Sequence, residues 1–462
     1  MGNSVLWFRR DLRLADNPAL VAAATRTPAG SATPGSAVVH PLFVLDPALY
    51  DQVGPPRQAY LLRSLRSLDD ALGGRLLLRY GDPVRRVVEA AQRAGADQVH
   101  IAADYGRYGT RRDDAVEAAL AQHGIALHRT GSPYAVAPGR VRKPDGTPYR
   151  VFTPFSRAWR EHGWRRPAEP PHEVEYASAG GDDPYPDEPD LGRMELPEAG
   201  EKAALSRWAD FLDTALTSYD TDRDRPDRPG TSRLSPALKY GELHPRTLLA
   251  DLAHRRGHGV EAYRGEICWR EFYADVLHHN PASAWQSLDP VTGAIETDHG
   301  PATDDAFEAW ATGRTGYPIV DAGMRQLLAT GWMHNRLRMI TASFLVKDLH
   351  LAWQRGAEHF LRHLVDGDVA SNNHGWQWTA GTGTDAAPYF RVFNPTLQGR
   401  KVDPDGEYVR RWVPELREVA GGAVHEPWKL RQPVPDYPEP IVDHGAERAE
   451  TLRRYQRARD RA

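Results

Sequence analysis

The hydrophobic period changes once along this 462-residue chain, and that change constrains the fold more than any single motif. Over the first 130 residues, short β-rich runs at 5–8, 37–45, 75–80, 98–102 and 125–129 alternate with amphipathic stretches such as 57–72 and 83–94. Strand, helix, strand at this spacing predicts an α/β domain with a doubly wound parallel sheet. Asp82 followed by Pro83 reads as an N-cap with proline at the first helical position. No GxGxxG follows the first run, so ordinary dinucleotide binding is not expected there, although the strand ends still offer a nucleotide-sized crevice. From 131 to 200 the pattern weakens. Its stretch PPHEVEYASAGGDDPYPDEPDLG, rich in Pro, Gly and acid, predicts an interdomain connector running over the surface. Residues 201–462 are helix-like almost throughout, which predicts an all-α second domain.

Composition excludes several classes. No run of eighteen apolar residues exists, so a membrane span is not expected. The start, MGNSVLWFRRDLRL, lacks the order of a secretion signal, and a cytoplasmic chain is expected. The single cysteine, Cys268, rules out an internal disulfide and a cysteine-built metal site. A net charge of −4 gives no bulk attraction to nucleic acid, so any DNA binding must come from a local basic patch. Of 13 tryptophans only Trp7 lies in the first 150 residues, which marks the helical part as an aromatic core or a place where flat rings stack.

Four constellations in the helical part carry chemistry. In EICWREFY, the residues Glu266, Trp269, Arg270 and Tyr273 fall at i, i+3, i+4 and i+7, one helix face. An acid, an indole, a guanidinium and a phenol are expensive to bury together without a ligand. The alternative is a solvated, salt-bridged face. In GWMHNRLRM, Trp332, Asn335, Arg336 and Met339 repeat that spacing beside Arg338, offering base-edge or phosphate hydrogen bonds next to soft apolar surface. In DGDVASNNHGWQW, Asp366 and Asp368 flank Gly367, but no further oxygen ligands follow at calcium-loop spacing, so no metal is expected. Asp366 suits an arginine partner and Asp368 a ring N–H, while the Asn372 amide can both donate and accept. Finally, TSRLS at 231–235 opens a helix and makes an anion seat suited to a pyrophosphate, or simply an N-cap. The preceding loop, DTDRDRPDRPG, reads as solvated.

Together these blocks resemble the photolyase/cryptochrome flavoprotein family. WFRRDLRLADNPAL is similar to its N-terminal signature, and TSRLSPALKYGEL, WREFY, TGYPIVDAGMRQLLATGWMHNRLRMI and DGDVASNNHGWQWTAGTGTDAAPYFRVFNP to its FAD-domain signatures. Within the family the chain is most similar to the class I cyclobutane pyrimidine dimer photolyases. The resemblance implies light-driven repair of such dimers in DNA by electron transfer from reduced FAD to a flipped-out dimer, performed by a monomer. It implies FAD held by Tyr219, by Thr231, Ser232, Arg233, Leu234 and Ser235, and by Arg270, Arg338, Asp366, Gly367 and Asp368, with Asn372 facing the reactive flavin nitrogen. Glu266 and Trp269 would touch the dimer, Glu266 as a protonated donor that burial keeps available. Arg270, Tyr273, Asn335, Arg336, Met339, Trp378 and Gln398 would complete the lesion pocket and its DNA rim. Trp376 and Trp353 match the first two members of the family's electron-transfer chain; the third is missing, with Gly300 near its place.

A second, antenna chromophore is also implied. Tyr108-Gly109 replaces the Asn-Glu pair of folate-binding relatives, which favours 8-hydroxy-5-deazaflavin over methenyltetrahydrofolate, with Asp104 and Lys239 as its contacts. The rival within the family is a cryptochrome photoreceptor, which usually carries Asp or Cys where this chain has Asn372. Repair of the (6-4) lesion would need two histidines in place of Asn335 and Met339.

Overall fold

The computed structural model describes residues 2–26, 35–171, 173–384 and 390–461; residues 385–389, inside the last signature block, lie outside the described part. Five parallel strands appear where the sequence pattern placed them: β1 (Gly2–Phe8), β3 (Gly35–Leu45), β4 (Leu77–Tyr80), β5 (Gln98–Ile101) and β6 (Ala126–Arg129), in the order β4-β3-β1-β5-β6. Two short strands were not expected. β2 (Thr25–Arg26) pairs antiparallel with the start of β3, and β7 (Glu175–Tyr176) runs parallel beside it.

Central strand β1 shows why the sheet is covered on both faces. Val5, Leu6, Trp7 and Phe8 are all essentially inaccessible. Leu6 and Phe8 pack with α1 (Pro18–Ala24) and α2 (Pro55–Ala71); Val5 and Trp7 pack on the other face with α3 (Pro83–Arg93) and α4 (Arg107–Ala121). Helix α3 begins as its sequence indicates, with the Asp82 carboxylate accepting the N–H groups of Val84 and Arg85 and Pro83 in the first turn. The chain order reverses between β1 and β5, so the crevice of the doubly wound sheet lies at Arg9–Arg10 and Ala102–Asp104.

The segment 131–200 contains more structure than its composition indicated. Helix α5 (Phe152–His162) sits there, with Phe155 and Trp159 buried against the helical half. Three large aromatics on one face suffice to dock a helix that is otherwise too polar to stand out as an apolar stripe.

The helical half includes α6 (Tyr219–Asp222), α7 (Ser235–Tyr240), α8 (His258–His279), α9 (Pro318–Thr330), α10 (Asn335–Lys347), α11 (Trp353–His363), α12 (Val369–Ala380), α13 (Pro395–Val402) and α14 (His444–Asp460). Helix α12 packs against α8, α10 and α11. No described helix is long and apolar enough to cross a membrane.

Buried polar contacts lock the two halves together. The Glu242 carboxylate accepts Tyr60 Oη at 2.8 Å, Ser64 Oγ at 2.6 Å and the Gly200 N–H at 2.7 Å. Arg246 meets Asp16 at 2.6 Å. Helix α7 ends in Gly241 at φ 73°, where a Cβ would lie 1.9 Å from the Arg10 carbonyl oxygen. Only glycine allows that helix to stop against the exit of β1.

Glu242→Leu leaves three buried donors without their acceptor and should cost about 3 kcal/mol of stability. Urea unfolding of the two proteins measures it; a difference below about 0.5 kcal/mol would show that this contact is not a staple.

Candidate active site

A cavity of about 480 Å3 opens among α7, α8, α10 and α12, and Arg10 enters it from the end of β1. The stripe on α8 turns entirely toward it: Glu266, Trp269, Arg270 and Tyr273 all line the wall. So do Asn335, Arg336, Arg338 and Met339 from α10, and Asp366, Gly367, Asp368, Asn372, Trp376 and Trp378 from α12 and its approach. Tyr219, Ser232, Leu234, Ser235 and Lys239 line it as well.

Thr231, Arg233 and Gln398 stand outside the lining. Arg233 has φ 50° and holds its guanidinium 4.8 Å from the Trp332 ring, and Trp332 Nε1 in turn donates to Ser235 Oγ at 3.2 Å. Gln398 lies half-buried on α13.

Charge dominates the cavity. Among the described lining residues, Arg10, Arg223, Lys239, Arg270, Arg336 and Arg338 face three carboxylates, Glu266, Asp366 and Asp368. The Asp366–Arg338 pair, at 2.8 Å, is the arginine partner that the sequence suggested. Asp368 caps α12 by accepting the Ser371 N–H at 3.1 Å; its other oxygen lies 3.0 Å from Arg10 and 3.7 Å from Lys239. Burial alone would raise the Asp368 carboxyl, but Arg10, Lys239 and Arg270 outweigh it and hold it well below the usual carboxylate range. Lys239 is lowered to about 8 by burial, with the neighbouring Arg10 adding to the effect. Burial raises Glu266 above an ordinary glutamate even though Arg223 lies 2.8 Å away. A surplus of half-buried cations is a poor resting state for an empty cavity and a good one for a polyanion.

The loop 220–230, expected to be solvated, is corrected here: Arg223 reaches Glu266, and Asp224 pairs with Arg336 at 2.6 Å. Its alternating charges hid that Arg223 turns into the cavity. Arg10 was also missed as a site residue, although it lies within the first signature block.

The Asn372 amide donates to the Ala357 carbonyl at 3.1 Å and to Asn373 Oδ1 at 2.8 Å, which fixes its plane at the cavity wall. Arg270 donates to the carbonyls of Pro133 and Leu238 at 3.0 and 3.1 Å and covers the Tyr134 ring. Trp376 is buried against α11 at Gly356, where a Cβ would come within 2.2 Å of its ring. Trp353 is buried too, but lines a different cavity of about 240 Å3 and donates to Ser287 Oγ at 3.2 Å. Asp104 sits at the sheet crevice, accepting the N–H groups of Tyr105 and Gly106 and lying 3.4 Å from Arg112. Lys239 instead faces the central cavity beside Asp368, so the structure does not join these two residues directly. Among the described residues no group of three His, Cys, Asp or Glu side chains could hold a metal ion.

Comparison with known proteins now bears on this geometry. Residues 4–174 match the DNA photolyase family model, and residues 263–457 match the FAD binding domain of DNA photolyase. The chain is 41% identical to the deoxyribodipyrimidine photo-lyase of Streptomyces griseus, over 99% of each chain. The chain belongs to the photolyase/cryptochrome family. Its FAD-binding domain is the helical half, and FAD is its cofactor. Among solved structures it is similar to a bacterial class III photolyase from Agrobacterium tumefaciens, with TM-score 0.90 and 36% identity over 100% of this chain and 98% of the other. It is also similar to an archaeal photolyase from Sulfolobus tokodaii that carries two FAD molecules, with TM-score 0.79 and 28% identity over 98% and 100%. The expected class I label is narrower than these likenesses, and the family is what they share.

The cavity fits FAD by charge, since its cations outnumber its carboxylates and FAD brings a pyrophosphate. Lys239 carries its charge below about pH 8 and loses it above. The affinity of apoprotein for FAD should therefore fall as pH rises through that value. Lys239→Met should bind FAD roughly tenfold more weakly at pH 7 and lose the pH dependence near 8. Flavin-fluorescence titration checks both, and an unchanged pH slope in the variant would remove Lys239 from the site.

Proposed function

We propose that this protein repairs cyclobutane pyrimidine dimers in DNA, using light. One observation carries the reading: a single cavity joins the polyanion-binding cations to a wall of Glu266, Trp269, Asn335 and Met339 that FAD binding does not need. When bound and reduced, FAD supplies one electron to the dimer on absorbing blue or near-ultraviolet light and recovers it after the ring splits.

The chain's own residues supply the rest. Trp269 offers a flat indole to a planar pyrimidine pair, and Met339 adds apolar surface. Glu266, with its carboxyl raised by burial, holds a proton toward a pyrimidine edge and steadies negative charge there. Its partner Arg223 favours the carboxylate form, so burial and this ion pair act in opposite directions on Glu266 and burial prevails. Arg336, Asn335, Tyr273 and Trp378, which line the cavity, are the residues we assign to the DNA rim. Asn372 presents its fixed amide to the flavin, and Tyr219, Ser232, Leu234 and Ser235, which line the same cavity, form the anion seat. Trp376, lining the cavity, and Trp353, lining the next one, are the path by which FAD is reduced. For the antenna the reading is 8-hydroxy-5-deazaflavin at the strand-end crevice near Asp104, supported by Tyr108-Gly109. The enzyme acts as a cytoplasmic monomer.

Base-acting enzymes, photolyases among them, extrude their target from the duplex, at least cost where the lesion has already weakened stacking. Arginine contacts to phosphate make the remaining affinity salt-dependent.

Illumination of the reduced protein with a dimer-containing oligonucleotide should remove the dimers; dimers that persist under light would end this reading. Trp269→Ala should weaken binding of the dimer far more than of undamaged DNA, and equal losses would deny the stacking role. Asn372→Asp should change which radical form of FAD accumulates on illumination; identical absorption spectra would withdraw Asn372 from the flavin. Glu266→Gln keeps a hydrogen-bond donor but cannot titrate. The decline of wild-type repair at high pH should therefore be absent in that variant, and a matching decline would place the titrating group elsewhere.

A further inference from the structure

Trp269 does not stand alone in the cavity wall. The Phe152 ring, from helix α5 of the segment between the two halves, lies on the indole with centroids 3.6 Å apart and planes 6° from parallel. Neighbouring rings approach Trp269 only on edge or at a tilt, with Phe272 at 5.7 Å and 76° and Tyr273 at 5.4 Å and 39°. Phe152 is therefore the one described ring that covers a face of the indole.

Helix α5 is itself held firmly on α8. Phe152, Phe155 and Trp159 fall at i, i+3 and i+7 on one face of α5. Phe155 packs on Phe272 at 5.1 Å, and Trp159 Nε1 donates to Glu271 Oε2 at 2.6 Å, with both α5 residues buried. The far end of α5 is thus pinned by a buried charge-assisted hydrogen bond, while its first residue meets the half-buried Trp269. A tryptophan without such a cover must be ordered when a flat ligand stacks on it, and that ordering weakens binding. With one face clamped, the indole surface that lines the cavity keeps one tilt before any ligand arrives.

We propose that Phe152 is a positioning residue for lesion recognition: its parallel stack fixes the plane of Trp269, so the segment between the two halves contributes to the pocket without touching the DNA. This rests on the reading that Trp269 stacks on the dimer.

The test compares two variants that fill the space without a flat face, Phe152→Leu and Phe152→Met, with one that keeps the face, Phe152→Tyr. Each is purified with FAD and titrated with a dimer-containing and an undamaged oligonucleotide, beside Trp269→Ala. Flavin absorbance and the melting temperature report folding. The expected result is a loss of roughly threefold to tenfold in dimer affinity for Leu and Met. Undamaged-DNA affinity should be unchanged, and Tyr should behave as wild type. A flavin-loaded Leu or Met variant that binds the dimer as wild type does overturns the proposal. So does a Tyr variant as weak as Leu, because the flat face would then not be what matters. If Leu and Met both lose their flavin, Phe152 is a folding residue and the proposal fails. Should Trp269→Ala itself bind the dimer normally, the stacking reading falls; a weak Trp269→Ala beside normal Phe152 variants leaves that reading intact and removes only the positioning role.

Discussion

The Asp368 carboxylate is where the two halves of the molecule converge electrostatically. It caps the helix that carries Asn372, Trp376 and Trp378, and its free oxygen draws in Arg10 from the central strand of the sheet and Lys239 from the short helix of the anion seat. A buried carboxylate with one cation is a marginal contact, because desolvation offsets most of the attraction. With Arg10, Lys239 and Arg270 around it, the charged form is strongly favoured instead. That preference couples the position of the sheet to the geometry of the cavity. Gly241 makes the coupling sterically feasible by letting the anion-seat helix end against the carbonyl of Arg10.

The same arrangement leaves a surplus of positive charge facing the cavity. Surplus cations held together repel one another and lower the stability of the unliganded chain. A ligand that brings two phosphate charges relieves this repulsion, so its binding free energy also stabilises the fold. Cofactor binding therefore adds to the stability of this protein, whereas the Glu242 staple acts whether or not the cavity is filled.

Much of this was readable in the residues. The short β-rich runs located all five main strands, and the i, i+3, i+4, i+7 stripe of α8 put Glu266, Trp269, Arg270 and Tyr273 on one wall because a long helix converts spacing directly into direction. Where no regular element fixes direction, spacing says little. The loop with Arg223 and Asp224 looked like solvated charge, and only the folded chain shows those two side chains turned toward Glu266 and Arg336. Helix α5 escaped notice for a related reason: its three anchoring aromatics are legible only once α8 is there to receive them. Thr231 and Arg233 sit in an irregular stretch where spacing does not set side-chain direction, and they fall outside the lining.

Helix α8 explains how one element can serve both the cavity and the frame. The face with Glu266, Trp269, Arg270 and Tyr273 lines the cavity. On another face, Glu271 accepts the Val136 N–H at 3.0 Å and the Trp159 indole, and Asp275 accepts the Gly139 N–H at 2.7 Å. Those bonds fasten the chain that leaves the sheet to the back of the helix that would meet the lesion. Burial pushes the Glu271 carboxyl up to about 7, yet its donors still favour the carboxylate, so the tether is strong only because several partners converge on it. A recognition surface of this kind gains its precision from the residues behind it. The acids on the far side of α8 keep the helix from sliding, and a helix that cannot slide delivers its indole and its carboxyl at a fixed separation.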